Sequence, residues 1–216
     1  MNGQIYFISG IDTDAGKSIA TGFLAKTWNR QGIRTITQKF IQTGNKEVSE
    51  DIELHRRIME WEFTEEDRQK LTMPEIFSYP ASPHLASLID KRPIDFDKIK
   101  NATQQLAERY DAVLLEGAGG LMVPLTEELL TIDYVAQNRY PLIFVTSGKL
   151  GSINHTLLSL EAVKHRRIPL HMLIYNLHPE EKELIDQDTR RYLKNYLKKH
   201  FPETIWTELP RIELKS

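Results

Sequence analysis

Residues Gly10 to Ser18 read GIDTDAGKS and satisfy G-x-x-x-x-G-K-[ST], the spacing of a loop that wraps the phosphates of a nucleoside triphosphate. Glycines at Gly10 and Gly16 let consecutive backbone N–H groups turn inward on an anion with no Cβ in the way. Lys17 brings a point charge to the β and γ phosphates, and Ser18 offers a hydroxyl suited to Mg²⁺. The helix that begins there aims its unsatisfied N–H groups at the same phosphates. A second stretch, Ala112 to Gly120, is an apolar run that reaches a carboxylate, Glu116, and then the glycines Gly117, Gly119 and Gly120 around Ala118. An acid at the carboxyl end of such a strand is where phosphate-loop NTPases place the group that acts on Mg²⁺. The glycines read as a turn beyond the strand, letting backbone come close to phosphate or substrate.

Other candidates are open to two readings. Lys39 is either a solvated strand-end lysine or one whose desolvation is offset by an anion. Asp51, in the capped helix start Ser49-Glu50-Asp51, either complements the helix dipole or completes the oxygen shell of a metal. Residues 146–155 place a helix N-terminus after a glycine turn, a suitable seat for a substrate carboxylate. Asn176 ends a core strand where it can hydrogen-bond a base. His84 and His155 stand at helix starts and read equally as surface, packed or functional residues.

The elements that must hold these groups alternate. Ile5 to Ile8 reads as a buried strand, and Ile19, Phe23, Leu24 and Trp28 recur at helical spacing after the loop. Gly32 stops that helix, and residues 35–41 open a second strand, making a βαβ unit. A charged helical segment follows over 61–72. Two prolines then lead into a helix through Leu88, and 95–110 is amphipathic with Ile99, Ala102, Leu106 and Tyr110 on one side. Further strands read over 112–116, 142–145 and 172–175. A polar helix is expected from Glu180 to Lys199, and a short edge element over Trp206 to Leu209. The pattern predicts one domain over residues 1–216 with a three-layer α/β fold, a mostly parallel sheet between helices.

Composition narrows the classes. Twenty-eight Lys and Arg against 30 Asp and Glu leave a formal charge of −2, which argues against nucleic acid or a membrane surface as partner. Lys164 to Arg167 closes a predicted helix and complements its dipole. There is no cysteine, which excludes disulfides, thiolate metal sites and a cysteine nucleophile. With no 18-residue apolar run and no leader pattern, a cytoplasmic protein is expected.

Five segments together resemble the ATP-dependent dethiobiotin synthetase family: GIDTDAGKS at Gly10, Lys39 with Gln42-Thr43-Gly44, Ser82-Pro83-His84, LLEGAGGLMVP at Leu114, and KLGSINHTLL at Lys149. The resemblance spans nearly the whole chain in order. It implies a homodimeric cytoplasmic ligase of biotin biosynthesis that closes a cyclic urea from 7,8-diaminononanoate, CO₂ and ATP with Mg²⁺. One amine becomes a carbamate, the carbamate oxygen attacks the γ-phosphate, and the second amine closes the ring. Carried onto this chain, Asp14, Ala15, Gly16, Lys17, Ser18 and Ile19 bind ATP, and Ser18, Asp51 and Glu116 surround Mg²⁺. Lys39 matches the catalytic lysine and Thr43 a substrate-contacting hydroxyl. Leu150, Gly151, Ile153 and Asn154 match the surface that holds the substrate carboxylate across the dimer, and Asn176 matches the adenine contact. The chain departs from the family pattern at Ser18, which keeps the hydroxyl of a threonine, and at Phe40, where proline often follows the lysine. Its tail Glu208-Leu209-Pro210-Arg211 also lacks the usual glycine and tryptophan.

Two other classes use the same loop. A partitioning or switch ATPase carries a signature lysine five positions before the loop lysine, and here that position is Asp12. A small-molecule kinase would use loop, lysine and Mg²⁺ alike.

Overall fold

A computed structural model of the chain describes residues 2–178 and 181–212. The first apolar run forms β1 (Gln4–Gly10), which passes through a 3-10 turn (Thr13–Ala15) into α1 (Lys17–Arg30). There follow β2 (Thr35–Lys39), β3 (Gln42–Thr43), α2 (Glu50–Met59), α3 (Glu65–Arg68) and β4 (Ile76–Phe77). Next come α4 (Pro83–Ile89), α5 (Phe96–Arg109), β5 (Ala112–Gly120), α6 (Thr131–Gln137), β6 (Leu142–Ser147) and α7 (Ser152–His165). β7 (Leu170–Asn176), α8 (Glu183–His200) and β8 (Ile205–Leu209) complete the described chain.

Six strands make one sheet in the order β2-β5-β1-β6-β7-β8, and each neighbouring pair is parallel. β3 and β4 pair separately. Parallel strands need both faces covered, and successive side chains alternate between those faces. Phe7, Leu115 and Phe144 accordingly join one core, to which α5, α6 and α7 add Ile99, Ile132 and Leu160. Their strand neighbours Ile8, Leu114 and Ile143 join the other, under Ala20 and Leu24 of α1. The result is three layers, with β1 between β5 and β6. In open α/β sheets the crevice beyond the strands' carboxyl ends is where a ligand binds.

The fold differs from the sequence expectations at particular places. β2 stops at Lys39 rather than Ile41, although Phe40 and Ile41 stay fully buried. β5 does not end at Glu116. It continues through the glycines, and Gly120 pairs with Gly10 past an irregularity between Ile8 and Gly10. Glycine favours strands poorly by itself, so here the neighbouring strand imposes the pairing. The start of the polar helix at Glu180 lies outside the described residues, and α8 runs from Glu183. The edge element is a full sixth strand, β8.

α1 also turns a different face inward. Ile19, Phe23 and Trp28 are half-buried, whereas Ala20, Thr21, Gly22, Leu24 and Ala25 are buried. The reason is the close approach of α2. A Cβ placed on Gly22 would lie 3.0 Å from both Cβ and Cδ1 of Ile58. That approach sets the first turn of α2 over the start of α1.

Candidate active site

Gly16 joins the 3-10 turn to α1 at φ 89°, in the left-handed region that favours glycine. A Cβ there would also lie 2.4 Å from Asn176 Nδ2. The Asn176 amide donates to the Ala15 carbonyl at 3.1 Å, and its Oδ1 accepts from His178 N–H at 3.0 Å, tying the end of β7 to the loop. Asp12 Oδ1 accepts from Thr13 N–H at 2.7 Å. Lys17 is buried, and its Nζ donates to the carbonyls of Asp12 at 2.7 Å and Thr13 at 3.1 Å, so the ammonium lies inside the loop. Burial pulls Lys17 down to about 8, against the opposing pull of Glu116. Asp14 stands exposed on the rim, and Ile19 is half-buried behind.

α2 starts at Ser49, whose Oγ accepts from Ile52 N–H at 3.2 Å while donating to Gln42 Oε1 at 2.5 Å. A capped first turn fixes the direction of the acids that follow. Asp51 is therefore brought across to the phosphate loop. Ser18 Oγ lies 2.5 Å from Asp51 Oδ1 and 2.9 Å from Glu116 Oε1. One hydroxyl has a single proton to donate, so it serves one of these carboxylates at a time. Lys39, paired in register with Glu116 across β2 and β5, closes the group. Its Nζ is 2.5 Å from Asp51 Oδ2 and 3.0 Å from Glu116 Oε1, and it donates to the Gly117 carbonyl at 3.2 Å. Lys39 is 5% exposed and Glu116 0%, so this lysine is not a solvated strand end.

Electrostatics follows from that geometry. Burial alone would lower the Lys39 ammonium, but the facing Glu116 and Asp51 outweigh it and hold Lys39 above its ordinary value. Burial alone would raise Glu116, yet Lys39 and His55 hold it well below the usual carboxylate range. Both groups stay charged through neutral pH. Two buried cations thus stand side by side, Lys17 among the loop carbonyls and Lys39 between the two carboxylates that also meet the Ser18 hydroxyl.

The oxygen donors suit a hard cation. Among the described residues no group of three or more His, Cys, Asp or Glu is arranged to hold a metal by itself. Two carboxylates and a hydroxyl instead fit Mg²⁺, which takes its remaining ligands from phosphate and water.

The structure brings together Lys17, Ser18, Lys39, Asp51 and Glu116, with Gly117, Ala118 and Gly119 in the strand extension beside them. Thr43 lies on β3, in register with Phe77. Leu150, Gly151, Ile153 and Asn154 lie at the turn into α7, beyond the end of β6, with Leu150 79% exposed. His84 meets Ser82 Oγ through Nδ1 at 3.0 Å and lines a separate cleft with Leu88, Arg92 and Leu125. His155 is exposed on α7. The sequence reading missed His55, which is 0% exposed with Nε2 2.8 Å from Glu116 Oε2. The available signal was its position one helical turn after Asp51, on the same face.

A family model described as AAA domain matches residues 4–215. The ATP-dependent dethiobiotin synthetase BioD 2 of Pasteurella multocida is 52% identical over 211 residues, covering 98% of this chain and 99% of that one. The chain belongs to the ATP-dependent dethiobiotin synthetase family. Another synthetase, from Chlorobaculum tepidum, is 50% identical over 216 residues, covering 100% of this chain and 89% of its own. The family is one of ligases in biotin biosynthesis. Among solved structures, a putative plasmid partition protein of Borrelia burgdorferi bound to AMPPNP superposes with TM-score 0.57 at 12% identity, covering 98% of this chain and 88% of that one. A ParA family ATPase of Chlorobium tepidum gives 0.53 at 14%, covering 97% and 85%. At that identity the partition ATPases share the synthetase's fold and no more. Among the described residues no helix is long and apolar enough to cross a membrane.

Proposed function

We propose that the crevice beyond β1, β2 and β5 binds ATP with Mg²⁺ and closes the ureido ring of dethiobiotin from 7,8-diaminononanoate and CO₂. The observation that carries this reading is the convergence of Ser18, Lys39, Asp51 and Glu116 beside the phosphate loop. It occurs in a chain about half identical to synthetases along nearly its whole length.

The residues divide the work. Backbone N–H groups from Asp14 to Ile19 and the Lys17 ammonium hold the β and γ phosphates. Ser18, Asp51 and Glu116 hold Mg²⁺, whose charge offsets that of the phosphate oxygens. One substrate amine combines with CO₂ as a carbamate, and a carbamate oxygen attacks the γ-phosphorus as ADP leaves. The second amine then attacks the carbonyl carbon and expels phosphate, so no protein nucleophile is required. Negative charge gathers on the transferring oxygens, and Lys39 is a fixed positive charge already desolvated beside them. Thr43 contacts the diamine, the α7 start from Leu150 to Asn154 receives its carboxylate, and Asn176 faces the base.

The working unit is a cytoplasmic homodimer of single-domain chains. Leu150 before α7 and Leu158 on it are both exposed and support a covered apolar face there. The test is phosphate release with Mg²⁺-ATP, bicarbonate and 7,8-diaminononanoate, each omitted in turn, with the organic product identified by mass. Release that needs both diamine and bicarbonate and forms a cyclic urea supports the reading. Release indifferent to bicarbonate, with a phosphorylated diamine as product, moves the chain to the kinases.

A further inference from the structure

His55 is fully buried on α2, one turn beyond Asp51, and its ring meets a group the site depends on. Glu116 already accepts from the Lys39 ammonium at 3.0 Å through Oε1, as a carboxylate does, so the 2.8 Å contact is a hydrogen bond donated by His55 Nε2–H to Oε2. The other ring nitrogen, Nδ1, has no hydrogen-bond partner among the described residues. An unmade hydrogen bond at a buried polar atom costs roughly 1–3 kcal/mol. An apolar side chain at this position would avoid that cost, so the ring's contribution must come from its one bond.

That bond divides the two oxygens of Glu116. Oε2 is occupied by His55, while Oε1 is turned toward Ser18 Oγ at 2.9 Å and Lys39 Nζ at 3.0 Å. Oε1 is thus the oxygen that faces the Asp51–Ser18 corner. Without the ring, no bond among the described residues holds Oε2 away from the corner, and the carboxylate is free to offer either oxygen or both there. Hydrogen bonds behind a metal-bound carboxylate commonly change metal affinity by 10–100-fold.

We propose that His55 is a positioning residue that locks Glu116 with a single oxygen, Oε1, directed at the Mg²⁺ position, an inference that rests on the metal role proposed for Glu116. The ring is fully buried behind Glu116. It acts through the carboxylate.

The experiment is Mn²⁺ titration by electron paramagnetic resonance in the presence of a non-hydrolysable ATP analogue, with His55→Gln, His55→Asn and Glu116→Gln proteins beside the parent. Gln reaches far enough to place an amide N–H where Nε2 stands, whereas Asn is one methylene short, and both keep the site polar. The expected result is a Mn²⁺ Kd about 10–100-fold weaker for His55→Asn and within about threefold of the parent for His55→Gln. Binding of the analogue without metal should stay unchanged in both, and the Mg²⁺ concentration for half-maximal turnover should rise for His55→Asn with little change in kcat at saturating Mg²⁺. If both His55 variants bind Mn²⁺ like the parent while Glu116→Gln does not, the role of His55 is overturned and the metal site stands. If Glu116→Gln also binds like the parent, the metal assignment beneath it fails.

Discussion

Replacing Lys39 by Met removes the ammonium while nearly preserving the chain's length and its apolar stem. The parent Nζ lies 2.5 Å from Asp51 Oδ2 and 3.0 Å from Glu116 Oε1, nearly out of contact with water. Both acids also meet at Ser18 Oγ. Two unit charges about 5 Å apart at an effective dielectric of about 20 repel by about 3 kcal/mol, a cost the lysine now cancels. Breaking a buried ion pair costs about 3–5 kcal/mol. For a chain of this length that corresponds to a fall in melting temperature of roughly 10 °C in the free protein. Mg²⁺ with ATP should restore much of the loss, because another cation then faces the carboxylates. Catalysis should not recover. Losing a preorganised charge at a developing anion costs about 10²–10³ in kcat. The assays are thermal unfolding with and without Mg²⁺-ATP, ATP binding by calorimetry, and release of phosphate with diamine and bicarbonate. Turnover within threefold of the parent would refute the reasoning, as would a loss of turnover matched by an equal loss of ATP binding.

Gly22→Val should push α2 away from α1, since even a single Cβ meets Ile58 at 3.0 Å; stability should fall by about 1–3 kcal/mol. The same variant should need more Mg²⁺ for half-maximal turnover, because Asp51 rides on α2, and an unchanged requirement would contradict this linkage. Asp67 is buried, and Arg56 donates to its two oxygens at 2.8 Å each. Burial would raise Asp67, but Arg56, Thr72 and the Thr64 N–H outweigh it and keep its folded value below the ordinary one. A depressed carboxylate stabilises the fold fully above its unfolded value of about 4 and loses that contribution as pH falls through the folded value. Asp67→Asn should therefore be about 3–5 kcal/mol less stable in urea at pH 7, with the gap to the parent closing below about pH 4. A gap that stays constant with pH would show that the charge is not responsible. If the proposed dimer forms through the α7 start, Leu150→Asp and Leu158→Asp together should halve the mass read by light scattering and raise KM for the diamine; a mass unchanged from the parent would contradict an interface there.

The loop was legible because its chemistry is local. GIDTDAGKS needs its glycines and lysine within nine consecutive positions, and the apolar strand before it and helix after it obey simple periodicities. Glu116 was legible for a related reason, an acid at the end of an apolar run. What escaped depends on distance in space. Gly22 in a helix reads as a weak point, and its purpose appears only when Ile58 stands against it. The same contact explains why α1 buries its small residues while Phe23 and Trp28 remain half-buried. His55 reads as a polar residue in a charged helix until β5 is placed beneath it. The extension of β5 through Gly120 is a decision made by β1, which no property of the glycines themselves announces. Lys39 and Asp51 each allowed two readings in the sequence, because the partner of each is the other.

The most direct test of the central claim follows an oxygen atom. If a carbamate oxygen attacks the γ-phosphorus, one oxygen of CO₂ leaves in the phosphate. A single turnover with ¹⁸O-labelled bicarbonate should give phosphate carrying one heavy oxygen, at the enrichment read from the carbonyl of the cyclic urea in the same sample. Phosphate without that label, while the urea retains it, would mean that water attacked the γ-phosphorus and that ring closure does not proceed through the carbamate at this site.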